Sequence, residues 1–526
     1  MTAFSEGSHP RDGTGPGEVV IDGGPVELAA LLDVACRGAQ LRLDRAAREQ
    51  MARGERALAE HLEAGRPVYG VTTGLGARVG EPLAGDTASA VETLRGRAVA
   101  VGAPLAVDVV RAAMVTRAAG LATGGSGASP AVAEHLIALL NAGVHPIVPG
   151  TGSLGASDLC LLAHVGLVLI GEGEAEHRGT RLTGAAALRA AGLPVLVPAP
   201  RDGLAICSSS AVSVGAAALA LAEAQSLLAA AQAAAALSFE AFRANPGPLA
   251  PGVVGARPAP GQTWASQGLR ALLAGGELME PAGPRRLQDP LSLRAVATLH
   301  GALAVALERL QDAVLPELGA AADSPLVIGG EVVSTANFHS PALSQALDAA
   351  AIALAQAGDA AAARPARLAA SRFSGLPEGL AGGPHASGVA PLEKTARALA
   401  RELVLLAAPR SLDAAVAADG AEDAVTGALP GALRLREAVA AMTRLIAVEL
   451  TVAATALTLR GPLRLGGGTA ELLAWVRARG DLRAGPGSIG AGLESMAQAI
   501  AAGELTGLGG ERWSAAGGLT GLGGER

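Results

Sequence analysis

The chain has 526 residues, a net charge of −7 and apolar side chains at half of its positions, yet only 2% of its residues are aromatic. This acidic balance lacks the basic footprint that nucleic acids require, so nucleic acid is not an expected partner. Alanine and leucine fill the apolar share, and because both favour helices we predict a mainly α protein. The three cysteines, Cys36, Cys160 and Cys207, are too few and too scattered for a disulfide framework or a zinc site.

The predicted elements begin after a polar, glycine-rich start. Residues 1–17 are expected to form a disordered tail, and residues 26–63 carry apolar side chains at helical spacing. Residues 87–143 are predicted to form several helices that glycine-rich turns separate. After the short apolar run 165–171, the segment "GEGEAEHRGTRLTG" predicts a small hairpin.

From residue 208 onward the composition changes, and long stretches are rich in alanine and leucine. They exceed the usual helix length of about 11–12 residues and are predicted as helices near 210–243, 291–315, 341–371, 390–407 and 430–459. Long helices of this kind form bundles, and their apolar excess predicts a homo-oligomer. The run 210–242 contains Glu223 and several polar residues, which favours a core helix over a membrane span.

This change of composition predicts an N-terminal domain at 18–207, a central long-helix bundle at 208–480 and a C-terminal segment at 481–526. The C-terminal segment ends in a repeat, because "LTGLGGER" occurs at 505–512 and again at 519–526, and we expect a flexible tail there. The start of the chain has no apolar signal-peptide core, so we expect a cytoplasmic protein.

Several short segments carry residues suited to chemistry. They are "VYGVTTGLG" (68–76), "GTGSLGASDLCLLAH" (150–164), "QDPLSLR" (288–294), "TANFHSPAL" (335–343) and "RELVLLAAP" (401–409). Taken alone each one is weak, because glycines before a helix usually form a turn and Ser or Asp there usually caps the helix. In this order and spacing they resemble the aromatic amino acid ammonia-lyase family, most closely its histidine-specific members, from about residue 20 to about residue 480.

The resemblance implies a homotetramer of long helices of the fumarase/aspartase-like type, with the cofactor loop in the N-terminal domain. It also implies active sites built from loops of three subunits. The family's cofactor is a methylidene-imidazolone (MIO), made autocatalytically from an internal Ala-Ser-Gly. The family's reaction removes ammonia from histidine, phenylalanine or tyrosine and leaves an arylacrylate. The expected partner is therefore a small amino acid or arylacrylate, with no nucleic acid, membrane or metal involved.

The cofactor loop departs from the family at one position. The family pattern is Gly-Ser-x-Gly-Ala-Ser-Gly-Asp-Leu, and here Ala156 and Ser157 match it but Asp158 follows directly, so the glycine is missing. Ring closure needs the backbone nitrogen of the third residue to attack the alanine carbonyl, and glycine permits the compressed backbone that this requires. Asp158 would bring a Cβ atom and a charge to that position. We therefore expect no MIO and no other cofactor, with Asp158 near the N-cap of the following helix.

Other family positions are kept. Tyr69 matches the catalytic tyrosine, which acts as a base on the substrate Cβ proton, and Arg294 matches the arginine that binds the substrate carboxylate. Asn337 matches an asparagine beside the carboxylate and the cofactor, Phe338 lines the pocket, and Glu402 matches a pocket glutamate. Each of these residues has an alternative role as a structural side chain of the core.

Further positions depart from the family. Ser208 replaces the asparagine that polarises the MIO carbonyl, and Leu291 replaces a tyrosine near the cofactor. Arg97 lies where histidine-specific members have the histidine of a Ser-His pair, and Ala421 and Ala424 replace a glutamine and a histidine. Arg97 and Ser208 are then candidate substrate contacts in a remodelled pocket.

Three hypotheses follow. The chain is an ammonia-lyase or aminomutase with remaining activity, or an enzyme that uses the same pocket without MIO, with Tyr69 abstracting a proton next to a carboxylate held by Arg294. The third hypothesis is a non-catalytic homologue that binds a ligand or assembles with an active relative. The lost parts belong to the MIO machinery and the kept parts hold an amino acid, which favours the second and third hypotheses over conventional lyase activity.

Overall fold

A computed structural model describes residues 17–383, 386–412, 415–479 and 489–506 of the chain. Helices dominate these residues and the strands are short, so the predicted mainly α class is confirmed. The predicted disordered tail, apart from residue 17, lies outside the described residues, as does the C-terminal repeat from residue 507 onward.

The elements up to residue 207 are short helices interspersed with short strands. They are β1 (Glu18–Ile21), α1 (Leu28–Arg37), β2 (Gln40–Leu43), α2 (Arg45–Glu63), α3 (Thr87–Arg97), β3 (Val101–Pro104), α4 (Val107–Ala122), α5 (Pro130–Ala142), β4 (Val144–Pro146), β5 (Pro149–Thr151), α6 (Leu159–Leu169), β6 (Glu174–His177), β7 (Thr180–Thr183), α7 (Gly184–Ala190) and α8 (Asp202–Cys207). The predicted hairpin after residue 171 is confirmed as β6 and β7, which pair antiparallel. The helical stretch predicted at 26–63 is interrupted by β2, which pairs in parallel with β1.

The elements after residue 207 include the long helices. They are α9 (Ala211–Phe242), α10 (Pro251–Ala256), α11 (Gln262–Leu273), α12 (Leu291–Arg294), α13 (Val296–Val314), β8 (Leu326–Ile328), β9 (Glu331–Val333), α14 (Pro341–Ala369), α15 (Ser371–Ser374), α16 (Leu392–Leu406), α17 (Ala428–Arg460), α18 (Gly467–Ala478) and α19 (Ile489–Ala501). The long helices predicted from the alanine- and leucine-rich stretches are therefore confirmed. One of them is divided, because α12 and α13 together cover the stretch predicted at 291–315.

Backbone contacts divide the chain into two units. Unit 1 comprises Met1–Leu219, Ala313–Ser344 and Ser411–Leu429, and unit 2 comprises Ala220–Asp312, Gln345–Arg410 and Pro430–Arg526. Each unit gathers three separate stretches of chain, whereas the domains predicted at 18–207 and 208–480 are continuous. Those continuous domains remain a prediction.

Two helical stretches are long and apolar enough to span a membrane by length and composition. They are Asp202–Phe242, whose most apolar window is 100% buried, and Ala428–Arg460, whose window is 89% buried. Burial against the rest of the protein marks both as core helices. Alanine makes this possible, because its small side chain lets neighbouring helices pack closely around α9, where Ala216, Ala217 and Ala220 are all fully buried.

Candidate active site

The glycine-rich loop before α6 is held by a neighbouring segment of unit 1. Gly155 has φ +86°, and a Cβ atom there would lie 2.2 Å from Thr426 Oγ1, so both the backbone conformation and the space require glycine. The carbonyl of Gly155 accepts a hydrogen bond from Thr426 Oγ1 at 3.0 Å. The carbonyl of Leu154 accepts another from the Gly427 N–H at 3.1 Å. The segment 426–427 therefore positions the start of the loop.

Ser157 occupies a backbone conformation that L-residues rarely adopt. Its φ is +77°, and a non-glycine residue held in the left-handed region costs about 1–3 kcal/mol. The side chain is buried, and its Oγ donates to the carbonyl of Ser209 at 3.0 Å and to that of Cys207 at 3.4 Å. Ala156, the residue before it, is half-buried. These contacts hold Ser157 in the conformation that a glycine would adopt without strain.

Asp158 is completely buried, and its polar atoms all have partners. Its backbone N–H donates to the Ser209 carbonyl at 2.8 Å. Its carboxylate accepts from Ser153 Oγ at 2.7 Å, from Ser213 N–H at 2.8 Å and from Ser213 Oγ at 2.9 Å. Burial raises the pKa of the Asp158 carboxyl, while the hydrogen bonds from Ser213 and Ser153 oppose that rise.

The position of Asp158 is as predicted, but the helix that its side chain caps is not. Asp158 immediately precedes α6, yet its side chain makes no capping hydrogen bond to that helix. The carboxylate turns instead to the first turn of α9 and accepts the N–H of Ser213. The free N–H groups at the start of a helix favour a negative charge, and α9 starts beside the loop. Asp158 is therefore the N-cap residue of α6, as predicted, but its carboxylate binds the start of α9 instead of the N–H groups of α6.

The serine run after α8 forms one side of this loop. Ser208, Ser209 and Ser210 are all buried. Ser208 Oγ donates to the carbonyl of Ser324 at 3.4 Å, and Ser210 Oγ donates to the carbonyl of Phe338. The hydroxyl of Ser208 is thus engaged with the backbone. The run links the cofactor-type loop to the segments that carry the other predicted site residues of unit 1.

Asn337 is exposed and is supported by a buried ion pair beneath it. Its Nδ2 donates to the carbonyl of Ala321 at 3.1 Å. Asp323 lies two residues after Ala321 and is buried. Its carboxylate binds Arg117 at 2.7 Å and lies 3.6 Å from Arg201. Because a buried carboxylate that pairs with two guanidinium groups is costly to move, this pairing holds the loop on which Asn337 rests.

Tyr69 and Arg97 belong to the same unit but differ in surroundings. Tyr69 is half-buried, and its Oη accepts the N–H of Gly76 at 2.7 Å. Arg97 is half-buried in the last turn of α3. Burial raises the pKa of the Cys207 thiol to about 12, and the charge of Arg97 opposes this rise, as it does at Cys160. Arg97 therefore acts electrostatically on Cys160 and Cys207, whereas no described contact joins Tyr69 to Ser157.

Arg294 and Glu402 belong to unit 2. Arg294 ends α12 and is half-buried, and its Nε is buried without a hydrogen-bond partner. Glu402 is exposed on α16. Among the residues that the structure describes, these two side chains form no ion pair with each other. An unpaired guanidinium nitrogen that is shielded from water is costly and favours binding of an external acceptor.

A cavity of about 840 Å³ lies within unit 2. Some of its lining residues, such as Ser292 and Ala295, are close to Arg294 along the chain. Its walls come from α12, α13, α14 and α16, and they include Leu291, Ser292, Ile352, Arg367 and Val404. Leu291, at the position of the family's tyrosine, is 67% exposed. Ser292 Oγ is buried without a hydrogen-bond partner. The cavity is therefore mainly apolar, with an unsatisfied hydroxyl in its wall.

Sequence reasoning missed the residues that support the site. Ser153 and Ser213 hold the Asp158 carboxylate, and Asp323 with Arg117 holds the loop below Asn337. The signal for Ser213 was present, because serines cluster at the start of a long helix that begins just after the loop's partner segment. The pairing of Asp323 with Arg117 spans two distant stretches of chain and had no local signal.

Comparison with known proteins identifies the family. Residues 26–478 match the family of aromatic amino acid lyases. A histidine ammonia-lyase of Symbiobacterium thermophilum is 38% identical over 93% of this chain and 97% of its own length, and one of Anaeromyxobacter sp. (strain K) is 37% identical over 88% and 94%. The crystal structure of histidine ammonia-lyase from Trypanosoma cruzi matches with a TM-score of 0.88 at 26% identity, covering 96% of this chain and 97% of that one. Tyrosine aminomutase from Streptomyces globisporus matches with a TM-score of 0.88 at 28% identity, covering 93% and 98%. With the loop geometry described above, these similarities establish that the chain belongs to the aromatic amino acid lyase family.

Proposed function

We propose that this chain is a family member that does not form MIO and that keeps a binding site for the carboxylate of an amino acid or an arylacrylate. The proposal separates two parts of the site. The part that makes the electrophile is altered at Asp158, at Ser208 and at Leu291. The part that binds the substrate keeps Arg294, Asn337, Phe338 and Glu402.

The observation that carries the proposal is the set of hydrogen bonds at Asp158. Ring closure would require the Asp158 nitrogen to attack the carbonyl carbon of Ala156. That nitrogen donates its N–H to the Ser209 carbonyl, and the carboxylate on the same residue is fixed to Ser153 and Ser213. Moving the nitrogen towards Ala156 would break several buried hydrogen bonds, each made to or by a group that has no water to replace its partner. The residues present therefore do not fit MIO formation.

Dehydration of Ser157 is disfavoured for a related reason. MIO formation would require loss of the Ser157 hydroxyl, whose single proton is shared between the carbonyls of Ser209 and Cys207. Its removal would leave both carbonyls with one partner fewer in a buried site. Ser208 adds to this, because a hydroxyl bonded to the Ser324 carbonyl lacks the amide N–H donors of the family's asparagine.

The substrate-binding half of the proposal rests on Arg294 and on the relatives. The buried Nε of Arg294 lacks an acceptor, and a carboxylate would supply one as part of a bidentate pair. The relatives with the highest identity quoted above are named histidine ammonia-lyases. We therefore infer histidine, phenylalanine and their arylacrylates as candidate ligands. Because the resemblance implies sites assembled from several subunits, Arg294 and Asn337 need not meet within one chain.

A second candidate function is an enzyme that uses this pocket without MIO. The observation in its favour is the hydrogen bond that Tyr69 Oη accepts from the Gly76 N–H, which holds the oxygen of the candidate base in one position. A purely non-catalytic homologue is the remaining alternative. Turnover of a bound ligand would distinguish the MIO-independent enzyme from the non-catalytic homologue.

We also infer a homotetramer in a reducing compartment such as the cytoplasm. The cavity of unit 2 opens to the surface and is lined by Leu291, Ile352 and Val404, and exposed apolar grooves of this size favour association. Cys36, Cys160 and Cys207 form no disulfide among the described residues, which is typical of reducing compartments. Light scattering on the purified protein measures the assembly, and a stable monomer would exclude it.

Intact-mass spectrometry tests the absence of MIO. The full chain is expected to show the mass of the unmodified sequence, whereas MIO formation would remove two waters. The matched variant carries one glycine inserted between Ser157 and Asp158, which restores the family's Ala-Ser-Gly order. We expect the inserted chain to lose two waters. A wild-type mass lower by two waters, together with a near-UV band that borohydride removes, would refute the proposal.

Calorimetric titration tests the carboxylate site. We expect histidine, phenylalanine or urocanate to bind the wild-type protein and an Arg294→Met variant to lose that binding while it stays folded. The control is Arg270→Met, which removes a half-buried arginine from α11. Absence of heat from the wild-type protein with all of these ligands would exclude the retained site.

A further inference from the structure

A cluster of arginines surrounds one phenylalanine in unit 2, and we call it the arginine patch. It consists of Arg285, Arg286, Arg367 and Arg372 around Phe373. The guanidinium carbons of Arg286, Arg367 and Arg372 lie 5.8, 4.9 and 5.0 Å from the centre of the Phe373 ring. Arg285 and Arg286 both donate to the carbonyl of Phe373. Four cations are thus gathered around one side chain and its backbone.

Carboxylates do not neutralise this charge. Within the described ranges, none of the four guanidinium groups forms an ion pair. Asp289 attracts Arg285 and Arg286, and Glu378 attracts Arg372, but neither carboxylate forms an ion pair with them. Asp289 accepts the Asn245 N–H at 2.6 Å, and Glu378 accepts the Ser371 N–H at 2.8 Å. The arginine patch therefore keeps a net positive charge in a chain whose overall charge is −7.

Two further cations lie behind the patch. Arg460 donates to the carbonyls of Ala241 and Ser374, and Arg243 donates to that of Gly283. Burial lowers the pKa of Arg460 to about 10, with Arg285 and Arg243 adding to the effect, and burial with the nearby Arg286 lowers that of Arg285. These guanidinium groups repel one another. Cation–π contacts account for where three of the guanidinium groups lie around the Phe373 ring, but they do not remove the charge.

The patch is open to solvent and keeps unused donors. Arg285 and Arg372 are exposed, and Arg286 and Arg367 are half-buried. Arg367 and Arg372 have no hydrogen-bond acceptor among the described residues, and Arg285 and Arg286 each use one nitrogen on the Phe373 carbonyl. Arg367 also lines the cavity of unit 2, so the patch borders that opening. The four guanidinium groups therefore converge on Phe373 and keep N–H donors available to an anion.

We propose that the arginine patch binds a phosphate group, either as free di- or polyphosphate or as the diphosphate of a larger molecule. Guanidinium forks match phosphate oxygens with paired N–H donors, and planar forks of this kind are better suited to phosphate than to monatomic ions. Several phosphoryl oxygens can each accept from a different arginine. A diphosphate, with more charge and more oxygens, binds more tightly than a single phosphate. The site differs from the proposed carboxylate site and does not depend on it.

Calorimetry and thermal melting of the full-length protein test this proposal. The probes are inorganic phosphate, pyrophosphate and ADP, each compared with sodium chloride at equal ionic strength. We expect pyrophosphate to bind and to raise the melting temperature, as a ligand of the folded state does. Equal or tighter binding of ADP identifies a larger diphosphate molecule as the source, and weaker binding of ADP identifies free diphosphate.

Charge-matched variants show whether the patch is responsible. An Arg285→Gln/Arg372→Gln variant is expected to weaken pyrophosphate binding at least tenfold, and a Lys pair at the same positions to weaken it less. The control is Arg45→Gln/Arg48→Gln in unit 1, which also removes two charges; both arginines are exposed and lie 2.9 and 2.6 Å from Glu49 and Glu134. The control variant should bind as the wild type does. The proposal is overturned if pyrophosphate has no effect beyond that of chloride, or if the control and patch variants respond alike.

Discussion

Replacing Asp158 by alanine tests whether its carboxylate stabilises the protein by accepting hydrogen bonds at the start of α9. The change removes the acceptor for Ser153 Oγ, Ser213 N–H and Ser213 Oγ. It leaves the Ser213 N–H buried without a partner. It also removes the side chain that fills a fully buried position.

The expected cost follows from these contacts. Loss of a helix N-cap costs about 1 kcal/mol, and hydrogen bonds to a charged acceptor contribute about 1.5–3 kcal/mol each, although they are not additive. Burial that raises the pKa of the Asp158 carboxyl offsets part of this contribution. We therefore expect Asp158→Ala to lower the free energy of unfolding by about 3–5 kcal/mol. For a unit of this size that corresponds to a fall of about 5–9 °C in melting temperature.

Asp86 provides the matched control. It also precedes a helix, and its carboxylate accepts from the Ser89 N–H and Ser89 Oγ at 2.8 and 2.7 Å, but it is exposed. Asp86→Ala should cost only about 1 kcal/mol, because water replaces the lost partner. Thermal melts of both variants, followed by circular dichroism, give the comparison. Equal shifts for Asp158→Ala and Asp86→Ala would refute the reasoning, because they would show that the buried carboxylate contributes no more than an exposed cap.

Three further predictions concern buried contacts, two within unit 2 and one within unit 1. Burial, with the charge of Arg364, lowers the pKa of His300 to about 3, so the unfolded chain binds a proton below pH 6.5 that the folded chain does not. The free energy of unfolding therefore falls as the pH falls from 6.5 towards 3, by about 2 kcal/mol at pH 5. Thermal melts at pH 7 and pH 5 should show a smaller decrease in melting temperature for His300→Leu than for the wild type. Arg364→Met leaves the Glu449 carboxylate buried and unpaired, which should cost about 3–5 kcal/mol, and an Arg364→Met/Glu449→Met variant should recover most of this in urea unfolding. Gly155→Ala forces an L-residue to φ +86° and places its Cβ 2.2 Å from Thr426 Oγ1, so thermal melts should show a loss of about 1–3 kcal/mol or more.

Each of these predictions has a result that contradicts it. An unchanged pH dependence in His300→Leu would show that another group controls acid stability. A double variant as unstable as Arg364→Met would show that the loss comes from packing and not from the unpaired carboxylate. A fully stable Gly155→Ala protein would show that the loop can relax away from Thr426.

The sequence by itself determined the helical class, the positions of the long helices and the missing glycine. Helix propensity and apolar spacing act between residues that are close along the chain, so α9, α14 and α17 could be predicted from their own residues. The hairpin of β6 and β7 was predictable for the same reason. The absent residue after Ser157 is a property of residue order and needs no structure to be seen.

The tertiary structure alone decided which groups these residues meet. Asp158 lies next to α6 in sequence, but its carboxylate binds the start of α9, because unpaired N–H groups there lie in a buried site where only a nearby charge or hydroxyl can satisfy them. In the same way, Arg285 and Arg372 share the carbonyl and the ring of Phe373 although more than eighty residues separate them. Hydrogen bonding and charge act through space. Residues that are distant in sequence therefore became partners only when the chain folded.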